Sequence, residues 1–154
     1  MNPADLGQCP LLAYVAELSL YNSRAGNEVV AALASSPHLA GLTSLNLGGC
    51  NVTSRGLTAL ARSPYLGRLR ELHLHGNHLG DEGLTALAGS ALLGRLAMLD
   101  LDGTSAGNRG VQALLDSPHL GRLRQVTLTG NQEPDDEGIT QQLRERFGET
   151  AVRF

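Results

Sequence analysis

Leu66-Gly67-Arg68-Leu69 returns as Leu93-Gly94-Arg95-Leu96 and again as Leu120-Gly121-Arg122-Leu123, at a constant interval of 27 residues. Leu39-Ala40-Gly41-Leu42 keeps the same phase one step upstream, and Leu12-Ala13-Tyr14-Val15 keeps it loosely. A fixed period of this size builds a stack of like supersecondary units, each resting on its neighbours, rather than one irregular globule. Stacks of this kind present surfaces more often than they enclose chemistry.

Within each period, the segments starting at Val15, Leu42, Leu69, Leu96 and Leu123 share the pattern L-x-x-L-x-L-x-x-N/C/T/S. The inner pairs are Leu18/Leu20, Leu45/Leu47, Leu72/Leu74, Leu99/Leu101 and Val126/Leu128. Alternation over so few residues predicts a short strand with one buried face. Strands that recur after an intervening helix lie parallel and side by side. Each strand runs into Asn22, Gly49, Gly76, Gly103 or Gly130, residues that tolerate a left-handed backbone, so the chain turns there with positive φ. Ser23, Cys50, Asn77, Thr104 and Asn131 follow, each with a small side chain able to satisfy backbone groups inside the turn. At that phase Cys50 reads as structural rather than nucleophilic.

The second half of each unit is helical. Gly56-Leu57-Thr58-Ala59-Leu60-Ala61, Gly83-Leu84-Thr85-Ala86-Leu87-Ala88 and Gly110-Val111-Gln112-Ala113-Leu114-Leu115 place apolar residues at i, i+3 and i+4. Thr53 or Ser54 and Asp81-Glu82 stand where an N-cap or a dipole-favoured acid belongs. Ser36-Pro37, Ser63-Pro64 and Ser117-Pro118 stop the helices. Ala91 replaces the proline in the third unit, which predicts a slightly longer helix there.

These residues resemble the signature of leucine-rich repeats, and the period with strand-plus-helix units resembles the ribonuclease-inhibitor type. The likeness spans residues 10–147. The D-E-G-L-T-A-L and S-P-x-L-G-R-L phrases are similar to those of bacterial members from GC-rich genomes. It implies an α/β leucine-rich-repeat solenoid, a short horseshoe arc with a parallel sheet on the concave face and helices on the convex face. The expected organisation is one domain over 1–154. Residues 1–14 form a weak N-terminal cap, 15–41, 42–68, 69–95, 96–122 and 123–149 are repeats, and 150–154 form a C-terminal capping strand. Two departures stand out. The first repeat has Val29 where Gly56 and Gly83 stand in later ones, and the last has an extra residue within Gln132-Glu133-Pro134-Asp135-Asp136-Glu137. A polar segment as short as residues 1–9 covers a strand edge poorly, which suggests a truncated array or a homodimer that pairs at the N-terminal repeat edge.

Composition narrows the function. A net charge of -3 argues against a nucleic-acid partner. No apolar run approaches the roughly 20 residues of a membrane helix, and Met1-Asn2-Pro3-Ala4-Asp5 has no basic leader. Cys9 and Cys50 occupy different phases of the repeat and suit a reducing, cytoplasmic setting. All twelve basic residues are Arg, a bias that also points to a GC-rich bacterial genome.

If the strands line a concave face, as the resemblance implies, function belongs to the residues that vary there. Glu17 and Tyr21 come from the first strand, Asn46 from the second, and Glu71, His73 and His75 from the third. Met98, Asp100 and Asp102 come from the fourth, and Gln125 and Thr127 from the fifth. His73 and His75 lie one strand from Asp100 and Asp102, about 4.8 Å laterally and about 6.6 Å along the strand. Two imidazoles and two carboxylates are competent zinc ligands, but a flat two-by-two grid does not converge on a tetrahedral ion. The expectation is therefore no metal and no cofactor, and a histidine-aspartate patch at the centre of a protein-binding face whose affinity varies with pH as the histidines titrate. Tyr21 is the only aromatic on this face, which suits a weak or polar contact.

The Arg68, Arg95 and Arg122 column reads first as solvated charges at turns, and second as a phosphate or acidic-peptide site. The acids from Glu133 to Glu137 match no calcium-loop spacing. An enzyme is the least favoured class, since no nucleophile, base and oxyanion donor converge and no phosphate loop appears. The main reading is a non-catalytic protein-interaction module. The alternatives are a structural or self-associating repeat fragment and, behind it, a GTPase-regulator-like protein.

Overall fold

The structure is a computed structural model and describes residues 3–149. Its elements follow the period. Strands β1 (Glu17–Ser19), β2 (Ser44–Asn46), β3 (Glu71–His73), β4 (Met98–Asp100) and β5 (Gln125–Thr127) form one parallel sheet in sequence order. Partners are one repeat apart at every step: Leu18 faces Leu45, then Leu72, Leu99 and Val126. Helices α2 (Gly26–Ala34), α3 (Ser54–Ala61), α4 (Gly80–Ala88), α5 (Asn108–Leu115) and α6 (Glu137–Phe147) alternate with the strands. This is a solenoid arc of stacked strand-plus-helix units, as the resemblance to leucine-rich repeats implies.

The inner leucines of the strands and the apolar faces of the helices make one continuous core. Leu45, Leu47, Leu72, Leu74, Leu99 and Leu101 are fully buried, each worth about 1.5–3 kcal/mol. Strands stack at about 4.8 Å and helices at about 8–10 Å, so the stack curves with its sheet on the inside. Leu18 and Leu20 are only half-buried, because β1 is the sheet's edge among the described residues.

The strands are only three residues long, since each turn begins at once. Asn22, Gly49, Gly76, Gly103 and Gly130 all have positive φ, from 56° to 73°. Inside these turns Asn77 is fully buried and binds two repeats together. Its Oδ1 accepts from the N–H of Cys50 (3.2 Å) and Val52 (2.8 Å), and its Nδ2 donates to the carbonyls of Leu47 (2.8 Å) and Leu74 (2.7 Å). Asn131 repeats the arrangement one pair of turns later, accepting from Thr104 and Ala106 and donating to Leu101 and Leu128. Cys50 takes the same position as a thiol, its Sγ donating to the Leu20 carbonyl.

The starts of α3 and α5 are capped from the preceding repeat, whereas α6 is capped from within by Asp136, whose side chain accepts from the Gly138 N–H. Thr53 is the N-cap residue of α3, but its side chain caps nothing. Asn27 Oδ1 instead accepts from the N–H of Thr53 (2.9 Å) and Gly56 (3.1 Å). Asp81 likewise belongs to α4, yet its Oδ1 accepts from Gly107 (2.7 Å) and Gly110 (2.9 Å) at the start of α5. Helix-start donors are therefore a glue between units. The third helix does not run on in the absence of proline. α4 ends at Ala88, in phase with Ala61 and Leu115. Gly89 is a poor helix former, and Leu92 and Leu93 must turn back into the core.

At the N-terminal end, α1 (Pro3–Gly7) lies against α2, with the Gly7 backbone close to the Ala32 carbonyl. A 3₁₀ turn at Pro10–Tyr14 buries Leu12. This segment extends the helical layer one step past β1 and leaves Leu11 and Tyr14 exposed at 71% and 87%. The capping strand expected at residues 150–154 lies outside the described residues.

Candidate functional site

Three rows of side chains cross the open face of the sheet. The first, at the strand starts, is Glu17, Ser44, Glu71, Met98 and Gln125. The second is Ser19, Asn46, His73, Asp100 and Thr127. The third lies just past the strand ends and holds Tyr21, Gly48, His75, Asp102 and Thr129 at the same repeat phase. No Arg stands in any of the three rows.

Asp100 is the hub. Its Oδ2 meets His75 Nδ1 at 2.8 Å and lies 3.6 Å from His73 Nδ1. Its Oδ1 accepts from Thr127 Oγ1 and from the Asp102 N–H, both at 3.1 Å. A carboxylate accepts only, so His75 Nδ1 carries the proton in this bond and Nε2 is left as the variable atom: an acceptor when the ring is neutral, a donor when it is charged. The bond also fixes the ring's orientation. With 24% and 32% side-chain exposure, His73 and His75 remain open to a partner while Asp100 beneath them is 18% exposed.

The ring of His75 lies down across the neighbouring strand end because Gly48 has no side chain. A Cβ there would stand 2.2 Å from Nε2. Over that gap His75 meets Tyr21 from two strands away, with ring centroids 5.5 Å apart and planes tilted by 46°. Tyr21, 60% exposed, and His75 therefore form one aromatic platform next to the His73–Asp100 pair.

The structure thus joins Tyr21, His73, His75, Asp100 and Thr127 from the sequence-predicted set. Asp102 is turned away: its Oδ1 accepts from the Thr129 N–H at 2.7 Å, so the four candidate metal ligands do not converge on one point. Among the described residues no group of three His, Cys, Asp or Glu side chains is arranged to hold a metal ion. Asn46 has local work, with its Oδ1 accepting from the Gly48 N–H at 2.9 Å. Glu17, Glu71, Met98 and Gln125 occupy the strand-start row apart from the cluster. Sequence reasoning missed Gly48 as a site residue; the signal was a glycine standing between Tyr21 and His75 at their phase.

The aspartate–histidine pair could hold or move a proton. Its imidazole side is His75 Nδ1, and on the carboxylate side the Thr127 hydroxyl donates to Asp100 Oδ1. No helix of the described residues is long and apolar enough to cross a membrane.

A family model described as Leucine Rich repeat matches residues 40–61 and 69–88. Those two segments are leucine-rich repeats. The two matched repeats contribute β2, β3 and the helices that follow them, so they underlie Gly48, His73 and His75. A comparison with curated proteins found no match. Leucine-rich repeats commonly serve as protein-interaction modules, and here the residues that break the repeat pattern gather on the open face.

Proposed function

We propose that this chain is a non-catalytic interaction module of the ribonuclease-inhibitor type, from a bacterium and resident in the cytoplasm. It holds a partner protein on its concave strand face, with His73, His75 and Asp100 at the centre and Tyr21 beside them. The observation that carries this reading is the orientation of two half-exposed imidazoles by one shared, less exposed carboxylate on the open sheet face. Groups held this way lose little freedom on binding. Free Cys9 and Cys50 suit a reducing compartment. With Tyr21 the only Phe, Tyr or Trp in the three rows, the contact is weak or polar.

Affinity capture from the source lysate tests the proposal. The wild-type chain and a His73→Ala/Asp100→Ala variant of matched thermal stability are immobilised in parallel, at about pH 8 and about pH 5.5. The expected result is a partner recovered by wild type, lost by the variant, and recovered to a different extent at the two pH values. Equal recovery by both chains at both pH values contradicts the concave-centre reading. A second copy of this chain as the captured species would favour self-association through the free edge of β1, beside which Leu11 and Tyr14 are exposed.

A further inference from the structure

The corner where each helix returns to the next strand carries Arg68, Arg95 and Arg122 in one column, and Arg70 and Arg124 in a second column two residues on. All are exposed except Arg95, which is half-buried. Backbone bonds tie neighbouring turns of this corner together: Arg70 N–H to the Thr43 carbonyl at 2.8 Å and Arg124 N–H to the Ala97 carbonyl at 2.9 Å. Arg68, Arg95 and Arg122 are therefore about one strand spacing apart where they leave the backbone, about 4.8 Å, whereas Arg70 and Arg124, with Ala97 between them, are about two spacings apart.

Neighbouring charges of the Arg68, Arg95 and Arg122 column lie inside the screening length of about 8–10 Å and repel one another. Among the described residues no carboxylate comes within 4.0 Å of any of them. Helix C-terminal carbonyls attract cations, yet of the five only Arg70 bonds to carbonyls, donating to Leu69 and Arg95 oxygens. The chain as a whole carries fifteen acids against twelve arginines, so this is a local excess on a net negative molecule. We infer that this corner docks an acidic peptide segment of a partner protein, laid across the repeats so that its carboxylates meet successive guanidinium groups. Planar guanidinium groups match carboxylates in a two-bond geometry.

The test uses a fluorescein-labelled deca-glutamate peptide and the full chain, read by anisotropy at low salt. Arg68→Ala/Arg122→Ala/Arg124→Ala should weaken binding about tenfold, the sum of three exposed ion pairs. A control lacking the same charge on the convex helices, Arg55→Ala/Arg62→Ala/Arg109→Ala, should bind nearly as wild type. Absence of binding by wild type overturns the inference, as does an equal loss in both triple variants. Tighter binding of a single-stranded oligonucleotide of equal length also overturns it, in favour of a phosphate polymer. His75→Ala should leave the peptide affinity unchanged, which separates this surface from the concave centre.

Discussion

Asn77→Ala is expected to lower the free energy of unfolding by about 3–5 kcal/mol, since it strands several buried backbone groups at once. The side chain is fully buried, accepts two N–H groups of the second turn and donates to one carbonyl in each of two turns. Alanine fills none of these roles, and water cannot enter without opening the stack. Domains of this kind are stable by only about 5–15 kcal/mol, so the loss is a large share of the whole. Asn131 makes the equivalent bonds but is half-exposed near the last helix, where solvent can substitute. Asn131→Ala should cost about half as much. Urea unfolding of the two variants beside wild type checks the pair. An Asn77→Ala chain within about 1 kcal/mol of wild type would show that the turn ladder does not hold the repeats together.

Gly110→Ala is expected to destabilise by about 1–3 kcal/mol, against the helix-propensity gain of about 1 kcal/mol that a free helix would show. A Cβ at Gly110 would stand 2.7 Å from Asp81 Oδ1 and 2.9 Å from Asp81 Cα. The second contact is backbone, so relief requires α5 to move away from α4. Moving it also breaks the Asp81 bonds to Gly107 and Gly110 that cap α5. Gly89→Ala is the matched control. It ends α4 with φ of -79° in a position occupied by Arg62 and Asp116 in other repeats, and a Cβ there meets nothing closer than 3.7 Å. That variant should be neutral or more stable by about 0.5 kcal/mol. Thermal melts of both distinguish the cases, and a stabilised Gly110→Ala chain contradicts the packing described.

The repeat made most of this fold legible from sequence. Strand position, parallel order and the left-handed turns at Asn22, Gly49, Gly76, Gly103 and Gly130 follow from residues that recur with the backbone they build. Interactions between repeats were harder to read. Asp81 looks like a cap for its own helix, and only the stack shows that its carboxylate serves the next one. The same holds on the open face. The strand register places His73 beside Asp100, but His75 reaches Asp100 diagonally because Gly48 gives its ring room to lie down. Asp102, equal to Asp100 in the sequence pattern, is drawn off by a backbone N–H of the last turn. Side chains one period apart are neighbours by necessity; which of them bond is decided by rotamers and gaps that a linear pattern does not carry.

The five histidines offer the most direct measurement of where a partner sits. His73 and His75 face the concave centre, whereas His38, His78 and His119 stand outside the three rows of the open face. Histidine-selective acylation of the chain, alone and saturated with the captured partner, reads all five at once by mass spectrometry. Concave binding predicts that His73 and His75 lose reactivity in the complex while His38, His78 and His119 keep theirs. Unchanged labelling of His73 and His75 with protection confined to the other three would contradict it.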